Sequence, residues 1–284
     1  MQTTKKDIGL AHISVMLMSL AGVFGQLVNE SSLIITLGRV AISFVVLLII
    51  LSVKKTNLRL ESKKDYGVAL LAGVVLAVHW STFFQSIQMS TVAIGIITFS
   101  TFPLFLTFLE PLVYHENIQK KNIVSSLILL IGVLITIPEF SLDNQMTIGI
   151  VWGMISSLAY AILSLLNRYL SNRYEGMKIC VYEQGTASVL LLPTLFLVRT
   201  TIETADVLGI VAIGLFCTAF AYSIYVSVQK NVQAQTMGLI SGMETVYGIV
   251  YAFILLSEVP SMQEMAGAII ILGVSLYSSI ASTR

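Results

Sequence analysis

The sequence predicts an all-α integral membrane protein of ten transmembrane helices, arranged as two inverted five-helix repeats. Three observations lead to this prediction: the apolar composition, apolar runs of membrane-spanning length, and the uneven distribution of Lys and Arg among the connecting loops. Of the 284 residues, 56% are hydrophobic and only 11% are charged, and the mean hydropathy is +0.89. Because soluble domains carry about 25% charged residues, the composition argues against a soluble protein.

Ten apolar stretches follow one another along the chain with short connections. Each has about the 20 residues that a helix needs to cross about 30 Å of hydrocarbon. The first stretch has a basic start, but its apolar body is longer than the core of a typical signal peptide, so we expect a retained span. The predicted spans are 8–28, 33–53, 67–89, 91–114, 121–138, 147–170, 179–198, 206–229, 232–256 and 262–281.

The Lys and Arg residues predict the orientation, since cytoplasmic loops carry an excess of them. Of the 16, fourteen lie in loops or termini on one side of a ten-span chain, Arg199 lies on the other side, and Arg39 lies inside the second span. The loops of the other side are acidic or neutral. This bias predicts an even number of spans and both termini in the cytoplasm, in the inner or plasma membrane.

Two segments, one spanning the fourth and fifth helices and one the ninth and tenth, resemble each other and indicate an internal repeat. Glu116 aligns with Glu258 at an offset of 142 positions, and Gly132 aligns with Gly273 one gap later. Five spans per half is an odd number, so the second half enters the membrane from the opposite side. Inverted repeats are typical of secondary transporters, which bind substrate near the midplane. The predicted halves are residues 1–140 and 141–284.

These motifs resemble those of the EamA-type transporters of the drug/metabolite transporter superfamily. Each half of that family has a proline in its fourth helix, an acidic residue about thirteen positions later, and a Gly-Val pair in its fifth helix. Thr245 stands where the second half would have its proline, and this departure is expected to alter the bend of the ninth span. The matching residues are Pro103, Glu116, Gly132 and Val133 in the first half, and Glu258, Gly273 and Val274 in the second.

The resemblance covers nearly the whole chain and carries several implications. It implies a cavity lined by the first four helices of each half, with the fifth and tenth spans at the periphery. It also implies transport of small metabolites, often as export of amino acids or related compounds.

Ionisable residues deep inside membrane helices are rare, and they usually face the bundle interior or a water-filled cavity. Glu244 lies near the centre of the ninth predicted span, with Tyr247 and Tyr251 on the same helical face. We interpret this stripe as part of a transport cavity, in which the carboxylate binds a cationic group or a proton. The alternative is a structural hydrogen bond that ties two helices together.

Other polar or aromatic residues inside spans have similar alternatives. His79 can carry a coupling proton or be a neutral imidazole held by a hydroxyl, and Trp80 can face a substrate ring or ammonium group or simply pack. Arg39 can bind a substrate carboxylate through two parallel hydrogen bonds or clamp two helices. Glu183, with its neighbour Tyr182, has the same alternatives in the seventh span.

The sequence therefore predicts a secondary active transporter, by resemblance an exporter, of small polar metabolites such as amino acids or amines. It would alternate access around a central cavity, with proton antiport as an open mechanism. The expected partners are the small-molecule substrate, the lipid bilayer and a coupling proton, with no nucleic acid. No phosphate-binding loop or zinc-binding motif is present in the sequence, so no catalytic, metal or cofactor site is predicted. The alternative is a membrane enzyme acting on lipid-linked substrates, which usually displays clustered acids or histidines at the membrane surface.

Overall fold

The computed structural model describes residues 5–115, 120–136, 143–228 and 234–281, and all regular structure within these ranges is helical. Glu116, which entered the repeat prediction, lies outside the described residues. The helices are α1 (Lys5–Leu27), α2 (Ser32–Val53), α3 (Lys63–Met89), α4 (Val92–Phe99), α5 (Phe102–Tyr114), α6 (Lys120–Thr136), α7 (Gln145–Ser171), α8 (Gly176–Leu191), α9 (Thr194–Leu197), α10 (Thr204–Ala212), a π-helical segment (Ile213–Phe220), α11 (Ala221–Val228), α12 (Ala234–Leu256) and α13 (Met262–Ala281).

Seven helical segments in the described ranges are long and apolar enough to cross a membrane, when α4–α5, α8–α9 and α10–α11 each count as one segment. Many large apolar side chains on them face outward, as expected of a surface in contact with lipid. The chain is therefore a multi-pass α-helical membrane protein. Three shorter apolar stretches accompany the seven: Ile123–Thr136, Ile240–Leu256 and Met262–Val274.

The fourth predicted span is broken in the structure, whereas the ninth is not. α4 ends at Phe99 and a new helix begins at Phe102, with Pro103 in its first turn, where the missing N–H of proline costs no hydrogen bond. α12 runs unbroken through Thr245, the residue that replaces the second proline. The Thr245 hydroxyl instead lies 2.7 Å from the Ser100 hydroxyl, so the departure from the family pattern links α12 to the break between α4 and α5.

The connections at one end of the bundle form what we term the basic face, defined by the loop 54–62 and the turn 172–175. The hydroxyl oxygen of Tyr174 accepts a hydrogen bond from the backbone N–H of Glu61 at 2.9 Å. The phenol of Tyr174 also donates to the carboxylate of Asp65 at 2.7 Å. Burial raises the pKa of the Tyr174 phenol, and the adjacent Asp65 carboxylate raises it further, so the phenol keeps the proton that it donates.

The connections at the other end form the acidic face, defined by the turn 28–31 and the segments 198–203 and 257–261. The Glu30 carboxylate accepts a hydrogen bond from the backbone N–H of Thr201 at 3.0 Å, and the Glu30 carbonyl accepts one from the Gln88 amide at 2.7 Å. Because α3 starts at the basic face and Gln88 lies near its end, this 27-residue helix, roughly 40 Å long, joins the two faces.

Glu258, the acidic motif residue of the second half, caps a helix of the first half. α12 ends at Leu256, and the next residue, Ser257, has a left-handed backbone with φ of 57°. The Glu258 carboxylate then accepts hydrogen bonds from the backbone N–H groups of Val92 and Ala93, at 3.2 and 3.0 Å. The first N–H groups of a helix have no partner within the helix, and a negative charge is favourable there. The motif carboxylate thus holds the start of α4 at the acidic face.

α6 and α13 pack closely against each other, as expected of helices with small residues at their contact. A methyl group added at Gly267 would lie 2.7 Å from the backbone oxygen of Gly132, so each glycine permits the approach of the other helix. The described side chains that line the cavities below come from other helices, which matches the peripheral position that the resemblance implies for the fifth and tenth spans.

Candidate functional site

A narrow cavity lies inside the bundle, among α1, α2, α3, α4, α7, α11 and α12, and we term it the central cavity. Its lining brings together four residues that the sequence places in the candidate site. Apolar side chains of α1, α3 and α4 complete the wall. The polar and large aromatic residues around it are Arg39, His79, Trp80, Tyr160, Tyr222 and Glu244.

Arg39 is buried and held in a fixed plane. Its Nε donates a hydrogen bond to the Thr218 hydroxyl at 3.0 Å, and its guanidinium carbon lies 3.7 Å from the ring centroid of Trp80. Thr218 belongs to the π-helical segment and donates its own proton to the carbonyl of Ile213, five residues earlier, at 2.8 Å. This i to i−5 spacing is the π-helical one, and such segments occur frequently at functional sites. Here the segment presents a hydroxyl oxygen to the arginine.

Glu244 reaches the central cavity from α12 and lies in the same lining as Arg39. The two tyrosines predicted to share its face lie elsewhere. The Tyr247 hydroxyl is 3.3 Å from Nδ1 of His12 on α1, and Tyr251 packs against the apolar cluster that contains Phe84. Of the three residues predicted to share this face, the glutamate lines the cavity, and the two tyrosines contact neighbouring helices.

His79 lines the central cavity. It also has a neighbouring hydroxyl, as expected if the imidazole is neutral and structural. Its Nδ1 lies 3.0 Å from the carbonyl oxygen and 2.8 Å from the hydroxyl of Ser156 on α7. The imidazole ring stands 5.0 Å from the ring of Tyr160 and 5.2 Å from that of Phe99, measured between centroids. With a proton on Nδ1, the histidine donates to the Ser156 carbonyl and joins α3 to α7.

Glu183 and Tyr182 lie outside the lining of the central cavity. The Glu183 carboxylate is fully buried and accepts a hydrogen bond from the Tyr222 hydroxyl at 3.1 Å, so it stands directly behind a lining residue. The Tyr182 hydroxyl donates to the carbonyl of Leu58 at 2.8 Å, and its ring meets that of Tyr66 edge to face. The structure thus places Tyr182 at the basic face.

A second cavity lies between α7 and α11. It shares Tyr160 and Tyr222 with the central cavity and continues along both helices past Ser164 and Asn167. α7 and α11 both end at the basic face, so the second cavity lies between the central cavity and that face. Tyr160 and Tyr222 form the partition between the two cavities.

Tyr160, Tyr222 and Thr218 are parts of this site that the sequence reasoning missed. An uncharged tyrosine within a span carries a weak signal, because tyrosines also serve as ordinary packing and interface residues. The repeat offset of 142 positions could have found Tyr222, since it maps Trp80 onto that residue. The two rings meet edge to face in the cavity wall, with centroids 5.4 Å apart.

Comparison with known proteins identifies the family. The model of the EamA-like transporter family matches residues 5–137 and matches again over residues 147–279. The chain belongs to this family. A relative from Archaeoglobus fulgidus, named an uncharacterized transporter, is 24% identical over 266 residues. The alignment covers 92% of this chain and 92% of the relative.

Two further likenesses accompany this one. The pseudopaline exporter CntI of Pseudomonas aeruginosa is 24% identical, over 79% of this chain and 78% of the relative. A solved crystal structure covers 99% of both chains with a TM-score of 0.70 at 13% identity, which shows the shared fold. The family and the names of these relatives indicate a transporter rather than an enzyme.

Proposed function

We propose that this EamA-family transporter is a secondary active exporter of small metabolites that carry both a carboxylate and an amine, such as amino acids. The observation that carries the proposal is the central cavity, whose lining contains both Arg39 and Glu244. Charges withdrawn from water are costly unless they are paired. A zwitterionic substrate would supply an opposite charge to each of the two groups. Export is supported by the relative that is named an exporter.

Arg39 is suited to hold the carboxylate end. An arginine has five N–H donors in a planar fork, and the bond from Nε to Thr218 uses one of them. The Trp80 ring against the guanidinium fixes the plane of the fork. A carboxylate can then accept two parallel hydrogen bonds, a geometry that lysine cannot reproduce.

Glu244 is suited to hold the amine end or a proton. A substrate ammonium group and a proton would compete for the same carboxylate as the cavity faces each side in turn. This competition is sufficient to exchange substrate for protons, which is antiport. His79 is the alternative proton carrier, although its Nδ1 contacts with Ser156 also suit a structural role.

We infer that residues 1–140 and 141–284 are inverted repeats, and the course of the helices supports this. α1 ends at the acidic face, where α7 begins, and α3 ends at the face where α10 begins. Corresponding helices of the halves thus run in opposite directions. His115 and Ser257, which are 142 positions apart, both have left-handed backbone conformations, with φ of 55° and 57°.

Each face has a contact between the two halves that involves an aspartate at the start of a helix, and this supports alternating access. Asp65, in the first turn of α3, accepts hydrogen bonds from Tyr169 and Tyr174 of the second half at the basic face. Asp206, in the first turn of α10, accepts one from the backbone N–H of Asn29 of the first half at the acidic face, at 2.8 Å. The two aspartates are 141 positions apart. Each would release one face while the other stays closed.

We further infer that the protein lies in the inner or plasma membrane with both termini and the basic face in the cytoplasm. The excess of Lys and Arg on that side supports this orientation.

The function is tested by flux into proteoliposomes, after a metabolite panel is screened for thermal stabilisation of the purified protein. Arg39→Lys is expected to abolish transport of an amino acid substrate but spare the matching amine that lacks a carboxylate. Glu244→Gln is expected to abolish accumulation driven by a pH gradient. Arg168→Lys is the matched control, since Arg168 pairs with Glu110 outside the lining of the central cavity.

Equal loss of both substrates in Arg39→Lys would show that the arginine is a helix clamp. Wild-type accumulation by Glu244→Gln would show that this glutamate is structural.

A further inference from the structure

Glu183 is a buried acid that does not line the central cavity, so a substrate bound there would not contact it. Its side chain is completely buried on α8, and its Oε2 accepts one hydrogen bond, from the Tyr222 hydroxyl. Among the described residues, its Oε1 has no hydrogen-bond partner. A buried carboxylate whose neighbouring donors are uncharged is costly, because an oxygen without a hydrogen-bond partner loses its water without compensation. The carboxylate would therefore be stabilised by a ligand that neutralises its charge or supplies the missing hydrogen bond.

The groups that face Glu183 limit what this ligand can be. Titratable neighbours are Tyr222 from α11 and Cys180 from α8 itself, and α7 contributes the uncharged Asn167. α3 packs against this turn through Gly73, where an added methyl group would lie 2.6 Å from the Glu183 carbonyl oxygen. None of these described neighbours is cationic, and this close packing leaves little room for a large ligand. A proton fits both conditions.

Tyr222 connects this acid to the central cavity. Its hydroxyl donates to Glu183 and accepts from the Asn167 amide at 3.3 Å, while its ring meets Trp80 edge to face in the cavity wall. An ionised carboxylate only accepts hydrogen bonds, whereas a protonated one also donates. Uptake of a proton by Glu183 therefore changes the hydrogen bond that holds Tyr222, and with it the ring beside Trp80 and Arg39.

We propose that Glu183 is a proton-binding site distinct from Glu244. Binding of a proton at Glu183 is transmitted to the central cavity through Tyr222 and Trp80. The second cavity, lined by Asn167 and Tyr222, gives the proton a path toward the basic face. The assignment of this proton as the coupling ion rests on the proposed transport function, but its binding at Glu183 does not.

The fluorescence of Trp80 provides a test that needs no substrate. The chain has two tryptophans, Trp80 and Trp152, so a Trp152→Phe protein reports on the cavity wall alone. In lipid nanodiscs, the emission of Trp80 is expected to change in a sigmoidal manner across a pH titration. Glu183→Gln should remove this transition, whereas Glu244→Gln should retain it.

Tyr222→Phe separates proton binding from its transmission. This variant should lose the Trp80 transition but keep the infrared carbonyl band of protonated Glu183, which is identified as the band that Glu183→Gln lacks. A Trp80 transition that persists unchanged in Glu183→Gln would overturn the proposal, as would infrared spectra that are identical with and without the substitution.

If Glu183→Gln does not fold, Glu183→Asp replaces it. The shorter carboxylate must then show a displaced midpoint, and an unchanged midpoint overturns the proposal. Because no substrate is present, these outcomes are independent of the flux assays on Arg39 and Glu244, so failure of one proposal can be told from failure of the other.

Discussion

Replacement of Asp65 by Asn is expected to open the basic face of the transporter, and replacement of Asp206 by Asn is expected to open the acidic face. The Asp65 carboxylate is fully buried and joins the start of α3 to the end of α7 and the following turn. Its partners are the Tyr169 hydroxyl at 2.9 Å, the Tyr174 hydroxyl at 2.7 Å and the Arg173 guanidinium at 3.4 Å.

The size of the effect follows from these contacts. A hydrogen bond to a charged group contributes about 1.5–3 kcal/mol. The asparagine oxygen can still accept from one partner, so Asp65→Asn removes about one such contribution from the closed state. Since every 1.4 kcal/mol is about a factor of ten in an equilibrium constant, the ratio of closed to open basic face should fall by about 10- to 100-fold. Asp206→Asn should have a similar effect on the acidic face.

The assay measures from which side of the membrane the central cavity is accessible. Ala21 lines that cavity, and Ala21→Cys provides a single reactive thiol once the two buried native cysteines, Cys180 and Cys217, are replaced by alanine. A membrane-impermeant thiol reagent is then added to one side of vesicles of known orientation. Asp65→Asn should speed labelling from the basic side by about tenfold or more, and Asp206→Asn should speed labelling from the acidic side.

Glu175→Gln is the matched control for the loss of charge. Glu175 lies in the same turn as Tyr174, is exposed, and makes no side-chain hydrogen bond to cap α8. This variant should label like the parent. If the two aspartate variants changed labelling from the same side, or if a folded Asp65→Asn protein labelled at the parental rate, the closing role of these contacts would be refuted.

Two further predictions concern topology and packing. A reporter that is active only outside the cytoplasm should be silent when fused after Arg284 and active when inserted near Asn144, and the reverse result would contradict the orientation. Gly267→Ala should lower the free energy of unfolding of the detergent-solubilised protein by about 1–3 kcal/mol, because the added methyl group would lie 2.7 Å from the Gly132 backbone oxygen. Gly273→Ala, on the same helix with no atom within 4 Å of the added methyl, should leave stability unchanged or raise it by up to about 1 kcal/mol. Equal stability of the two glycine variants would contradict the packing argument.

Part of the candidate site was accessible from the sequence because burial of polar groups in lipid is costly. Arg39, His79 and Glu244 stand out within long apolar stretches, and the structure places all three in the lining of one cavity. The same reasoning could not separate them from Glu183, which is equally polar and equally deep along its helix. The difference lies in rotation about the helix axis relative to α11, which places Tyr222 between Glu183 and the cavity.

The local shape of the helices was less predictable. Pro103 marks the break between α4 and α5, but a proline is compatible with either a bend or a new first turn. The π-helical segment around Thr218 has an ordinary apolar sequence, and one extra residue per turn leaves no clear periodic signal in eight residues. Both features depend on contacts with other helices, such as those of Ser100 with Thr245 and of Thr218 with Arg39.

The sequence by itself determined that this protein is an α-helical membrane protein, and it located the helices and the likeness between the two halves. It could do so because hydrophobic length, loop charge and motif spacing are local properties of the chain. Only the tertiary structure decided which polar groups meet. Arg39 and Thr218 are 179 positions apart, and Glu183 and Tyr222 are 39 apart, so their contacts arise from how the helices rotate and pack. Helix rotation is set by the sum of many weak side-chain contacts, and no single stretch of sequence records it.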